Sequence, residues 1–155
     1  MISFRKITKK DLPIFIRWFE DSEVQTQFLP LKIESVEIFA MSLLDSISDP
    51  KYERRIMTNF LGLPLGYYTI RYYPDHGTLS ILIDKRYRGR GLGSKAIKTV
   101  SKKVLLDSPH LGEIRAFIRT TNVASIVAFY KAGFKNTGLA DGHEVPTFRY
   151  VYRRS

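Results

Sequence analysis

The residues with the plainest chemical purpose lie between positions 85 and 95, where KRYRGRGLGSK sets three glycines among five cationic side chains. Glycine leaves the main chain bare where it must turn tightly or approach a ligand. Arg88 and Arg90 add positive charge at that point. Upstream, TLSILID (78–84) has strand composition; downstream, Leu92, Ala96, Ile97, Val100 and Val104 share one helix side while Lys95, Lys98 and Lys102 share the other. A strand, a glycine loop and an amphipathic helix follow from these patterns. The first amides of a helix have no internal partner and its dipole favours negative charge there. The loop therefore predicts a phosphate or pyrophosphate cradle, against the plainer alternative of a solvated cationic turn. Two familiar phosphate loops fail on spelling. Ser94 and then Lys95 follow Gly93 where a P-loop needs Lys and then Ser or Thr, and Gly89, Gly91 and Gly93 give G-x-G-x-G rather than G-x-G-x-x-G.

A second candidate stretch is NVASIVAFYKAGF, 122–134. Asn122 is placed to cap a helix and Gly133 to end it. Tyr130 offers a phenol, a proton donor at neutral pH. It also shares a helix side with Val123, Ile126 and Val127, so packing explains it equally well. The three histidines, His76, His110 and His143, are far apart, fit no metal-ligand spacing and read as surface or loop residues. With no cysteine there is no disulfide, thiolate metal site or cysteine nucleophile.

The elements that would position these groups are legible in outline. Thr8 and Asp11 have capping-box spacing, and apolar residues recur helically over 9–20, with Pro13 in the first turn. A second helix is predicted over 34–48. RRIMTNF (54–60) and GYYTIRYY (66–73) read as strands around an LGLP turn. EIRAFIR (113–119) is a strand, and 133–138 and 147–153 are final strands. With a short strand at 2–7, the order is that of one mixed α/β domain spanning 1–155. The strands at 78–84 and 114–119 are joined by a helical crossover and expected parallel.

Arg88, Gly91 and Gly93 spell [QR]-x-x-G-x-[GA], and the run ILIDKRYRGRGLGSKAI resembles the phosphate-binding region of the GNAT superfamily of acyl-coenzyme A-dependent N-acetyltransferases. Asn122, Ser125, Tyr130, Gly133 and Phe134 carry a second resemblance, to that family's N-x-x-[AS] run and its Gly-Phe. The resemblance implies a central mixed, mostly antiparallel, twisted sheet, splayed between its fourth and fifth strands and flanked by about four helices. It implies acetyl-CoA as co-substrate, no metal, and direct acetyl transfer to the primary amine of a small molecule or a protein N-terminus. Ile81, Leu82 and Ile83 would pair with the pantetheine arm. The loop from Arg88 through Gly89, Arg90, Gly91, Leu92 and Gly93 to Ser94 would receive the pyrophosphate. Asn122 and Ser125 would approach the pantetheine, Phe129 and Tyr130 the thiol end, and Tyr130 would protonate the leaving thiolate. The base stays unassigned: Asp84 serves equally as a turn cap, and a water relay is the default. IRWFEDSEVQTQF loosely resembles the branch of aminoglycoside 6'-N-acetyltransferases and ribosomal-protein N-acetyltransferases; Trp18 and Phe28 could then floor an acceptor cleft, or simply be buried aromatics of helix packing. Glu20, Asp21, Glu23, Asp141 and Glu144 could make that cleft acidic.

The formal charge of +10 favours anionic partners of any kind. Arginines with Tyr67, Tyr68, Tyr72 and Tyr73 raise a nucleic-acid-binding module as one rival; a non-catalytic acyl-CoA sensor is another. The cations concentrate at one loop–helix junction, which makes nucleic acid the weaker partner. No apolar run is long enough to span a bilayer, and the N-terminus has no secretory h-region. A cytoplasmic protein without a membrane partner is expected, with final strands that could pair in a homodimer.

Overall fold

Three adjacent strands carry large apolar side chains on both faces: β2 (Tyr52–Thr58), β3 (Pro64–Tyr72) and β4 (His76–Ile83). Ile56, Tyr67 and Leu82 bury into one core; Met57, Tyr68, Ile70 and Leu79 bury into another. A sheet that is apolar on both sides needs a covering layer on each. The computed structural model, which describes residues 1–154, shows both layers. Helices α1 (Leu12–Glu20), α2 (Ser22–Gln27) and α3 (Val36–Asp45) supply the apolar residues of one core. Helices α4 (Leu92–Asp107) and α5 (Val123–Lys131) supply those of the other.

The remaining strands are β1 (Ser3–Lys6), β5 (Glu113–Arg119), β6 (Lys135–Leu139) and β7 (Thr147–Arg153), and the sheet order is β1-β2-β3-β4-β5-β7-β6. Every pairing is antiparallel except β4 with β5. That parallel pairing holds only from His76 to Thr78 against Glu113 to Arg115, after which the two strands part. The sheet is thus mixed and splayed between its fourth and fifth strands, as the resemblance implied. No helix among the described residues is long and apolar enough to cross a membrane.

Local differences from the sequence reading have simple causes. Asp11 accepts from the Thr8 amide at 2.9 Å, as the spacing predicts, but residues 9–11 form a 3-10 turn before α1 begins. The second predicted helix starts later, at Val36, because Ser35 caps it by accepting from the Ile38 amide. Helix α2 was not foreseen; Asp21 caps it, and six residues are too few to show a period. Among the described residues there are five α-helices rather than about four.

Candidate active site

The glycine loop is shaped by backbone conformation. Gly89 and Gly91 both hold φ at +76°, a left-handed setting that side chains resist, with open space where a Cβ would stand. Gly91 caps α4, and the first amide bonded within the helix is that of Lys95, to the Gly91 carbonyl. The amides of Leu92, Gly93 and Ser94 therefore have no intrahelical acceptor. They open on a cleft of about 430 Å³ lined also by Ile81, Ile83, Arg88, Gly89, Asn122 and Ser125. Tyr87 and Lys131 join this lining without having been foreseen.

The wall of this cleft is the free side of β4. Asp84 donates its amide to the Leu65 carbonyl, which fixes the alternation. Leu82, Ser80 and Thr78 turn their main-chain groups to β3, opposite Tyr67, Thr69 and Arg71. Ile81 and Ile83 turn theirs into the splay, where β5 no longer pairs. Leu82, predicted as a cofactor contact, borders the cleft but has its main-chain groups committed to Tyr67 and its side chain buried.

Two side chains fasten the α2 segment across the gap. Arg88 donates to the Ile83 carbonyl at 2.9 Å, pairs with Asp21 at 2.9 Å and with Glu23 at 3.0 Å. Its guanidinium is thus a strap, and what it gives the cleft is position rather than a free cation. Arg119, at the end of β5, donates to the carbonyls of Thr26 and Leu29. Between these straps the segment carries Gln27 and Phe28 to the junction. Arg90 lies outside the lining, with its guanidinium 5.7 Å from the centre of the Tyr87 ring.

Asp84 is structural. Its buried carboxylate caps the Arg86 amide and accepts from Trp18 Nε1 at 2.9 Å and Arg17 at 3.0 Å. Burial alone would raise this carboxyl, but hydrogen bonds from Arg86 and Trp18 outweigh it and hold the group far below the usual carboxylate range. An acid so firmly ionised is too weak a base for an ammonium.

A second cleft, of about 410 Å³, meets the first at Gln27, Phe28, Ile81, Asn122 and Ser125. Strand alternation builds its floor: Tyr52 and Arg54 from β2, Thr69 and Arg71 from β3, Thr78 and Ser80 from β4. Phe39, Phe117 and Phe129 contribute apolar wall.

Several predicted residues are not at this junction. Tyr130 is 73% exposed and lines neither cleft, because its neighbour Phe129 occupies the inward position of α5. The reading of Tyr130 as a ring packed with Val123, Ile126 and Val127 therefore does not hold. Trp18 is buried behind the floor, its indole stacked on Tyr67 at 6.0 Å and bonded to Asp84. Phe28 does line both clefts. The acidic pocket these residues could have made does not form: none of Glu20, Asp21, Glu23, Asp141 and Glu144 lines the second cleft. The tyrosines form no stacking platform either. Tyr68 and Tyr72 belong to the α4–α5 core, whereas Tyr67 and Tyr73 face the cleft.

The sequence reading missed Arg54 and Arg71 altogether. Their signal was a polar residue every second position in two adjacent strands, legible only once the cross-strand register is known.

A family model for the acetyltransferase (GNAT) domain matches residues 2–135. No curated protein matches the chain. Among solved structures, the aminoglycoside acetyltransferase AAC(6')-Ib in complex with coenzyme A and kanamycin superposes with a TM-score of 0.84 at 19% identity, over 99% of this chain and 95% of that one. The spermidine N-acetyltransferase from Vibrio cholerae, in complex with coenzyme A and spermine, gives 0.82 at 14% identity, over 98% and 95%. A GNAT-family acetyltransferase from Bacillus anthracis gives 0.82 at 17%, over 98% and 94%.

Proposed function

This chain belongs to the GNAT acetyltransferase family, and from that premise we propose that it transfers the acetyl group of acetyl-CoA directly to a primary amine, in the cytoplasm. The observation that carries the reading is the pairing of two features along one cleft. Unpartnered amides at residues 92–94 suit a pyrophosphate, and the main-chain groups of Ile81 with the Ile83 amide suit a pantetheine arm lying as an added strand. Lys131 adds a cation to the same wall.

The chemistry follows from the residues at the junction. The thioester carbon lies where the clefts meet, with the Ile81 amide available to its oxygen as charge develops. The neutral amine nitrogen forms the new C–N bond, the C–S bond breaks, and the proton lost from nitrogen ends on the thiolate. Among the described residues Ser125 is the one hydroxyl residue lining both clefts, and it relays that proton in place of Tyr130. No Asp, Glu or His lines the second cleft. The incoming ammonium therefore gives its first proton to water, helped by Arg54 and Arg71, because neighbouring cations lower an ammonium's pKa. No acyl-enzyme is needed.

Thermal unfolding with and without acetyl-CoA tests the coenzyme reading, since a ligand of the native state at 100 times its Kd stabilises by about 2.7 kcal/mol. A shift that saturates at micromolar acetyl-CoA is expected; none would remove the reading. Thiol release over a panel of amines then tests transfer. The missing acid–base residue in the second cleft favours one other reading, a non-catalytic acyl-CoA sensor, which predicts the thermal shift without thiol release.

A further inference from the structure

This inference rests on the proposed acetyl transfer and concerns the molecule that receives the acetyl group. The floor of the second cleft carries two guanidinium groups with no acid opposite them. Arg54 and Arg71 both stand against the Tyr52 ring, at 4.1 and 5.0 Å from its centre, and Arg71 also lies 5.1 Å from that of Tyr73. Among the described residues neither makes an ion pair. Arg54 donates only to the Ser46 hydroxyl, at 3.0 Å. Asp49, the carboxylate that most influences Arg54, instead caps the Lys51 amide. Asp75 pairs with His76 at the hairpin tip.

Arg54 Nε and Arg71 Nη1 are buried with no hydrogen-bond partner. Buried donors are nearly always satisfied, and those of a charged group cost most when they are not. Arg55 Nε shares this condition on the opposite face of β2, so burial by itself does not mark a site. What distinguishes Arg54 and Arg71 is that both lie on one cleft wall, share one aromatic ring, and are surrounded there by the hydroxyl residues Thr69, Thr78 and Ser80. Two like charges held together by an aromatic face, rimmed by hydroxyls, describe a receptor for a planar or tetrahedral oxyanion.

We infer that the acceptor is a small molecule bearing a carboxylate or phosphate together with its amine, and that Arg54 and Arg71 receive the oxyanion while the amine reaches Ile81 and Ser125. A polyamine or aminoglycoside, the ligand kind bound in the two named relatives, meets like charge at this wall. Such juxtaposition disfavours binding strongly. An oxyanion neutralises the wall and fixes which end of the molecule faces the thioester.

Matched acceptors test this on the unmodified protein, with thiol release from acetyl-CoA as the readout. Tyrosine is compared with tyramine, and O-phosphoethanolamine with ethanolamine, beside spermidine and kanamycin. The anionic member of at least one pair is expected to exceed its mate in kcat/KM by about tenfold or more, the scale of charge-assisted hydrogen bonds. Which pair responds tells carboxylate from phosphate. Arg71→Gln and Arg54→Gln should each abolish most of that preference by raising the acceptor KM, with the KM for acetyl-CoA unchanged, and Arg71→Lys should restore part of it.

Faster turnover of tyramine, ethanolamine or the polycations overturns the inference while leaving acetyl transfer intact. So does a preference that survives both substitutions. If no acceptor is turned over, calorimetric titration of the coenzyme A-saturated protein with the same pairs decides: equal binding within each pair overturns it. Failure of the coenzyme reading shows separately, as no stabilisation by acetyl-CoA.

Discussion

The two clefts that meet at Ile81 and Ser125 are built from different materials. The first is largely main chain: helix-start amides, a strand edge left open by the splay, and glycines whose left-handed φ no other residue supplies cheaply. The second is largely side chain: arginines, tyrosines and hydroxyls from three strands, closed by Phe28 on a segment strapped in place by Arg88 and Arg119. A binding surface made of backbone tolerates little variation in sequence and suits a ligand that never changes. One made of side chains can be rewritten position by position without disturbing the fold, which suits an acceptor that differs from relative to relative.

Substitutions can separate these surfaces. The largest effect is expected from Gly91→Val. A β-branched residue resists φ of +76°, and the loop would relax away from its anion-binding shape at a cost of about 2–3 kcal/mol. Calorimetric titration with coenzyme A should show affinity falling by roughly 30- to 100-fold, while the pattern of acceptor preference stays the same. If acceptor preference changes as well, the clefts are not independent.

Asp84→Asn comes next, and acts on the scaffold shared by both. It removes the charge on which Trp18, Arg17 and Arg86 converge, at a cost of about 1–3 kcal/mol. Tm should drop by roughly 2–12 °C. The carboxyl is held below its unfolded value, so its stabilisation is complete above pH 3.8 and is lost as pH falls toward the folded value. The gap in stability between native protein and variant should therefore narrow below about pH 4. A gap that stayed constant in denaturant titrations down to pH 2.5 would remove the ionised carboxylate from this account.

Smaller effects test the junction itself. Ser125→Ala should lower kcat several-fold, about 1 kcal/mol, with the KM for acetyl-CoA nearly unchanged. Tyr130→Phe should change neither kcat nor Tm measurably, because the ring is exposed and outside both clefts. A marked loss of turnover in Tyr130→Phe would restore the phenol as donor and mean that α5 turns inward when substrates bind.

That last pair also shows where reading the sequence stopped short. Tyr130 and Phe129 are adjacent, and a one-residue difference on a helix is a rotation of about 100°. Which of them faces inward depends on how α5 sits against its neighbours, and Phe129 is held there edge-on to Phe134 at 5.0 Å. Trp18 shows the same limit. The resemblance put it on the floor of a cleft, whereas the ring lies in the core behind Tyr67 and not in the cleft in front. Arg88 was rightly seen at the loop and wrongly given a free charge, since its partners Asp21 and Glu23 lie more than sixty residues earlier in the chain.

The amino-acid sequence by itself determined the strand–loop–helix unit, its glycines, the element order and the family. Each of these is a local pattern: a period, a cap, a φ that only glycine takes easily. Tertiary structure alone decided the second cleft. Arg54 and Arg71 become neighbours only through the register of β2 on β3, and they face a cleft only because β4 and β5 part after Thr78. Long-range pairing carries no local signature, so the charge of the second cleft could not be read before the sheet was assembled.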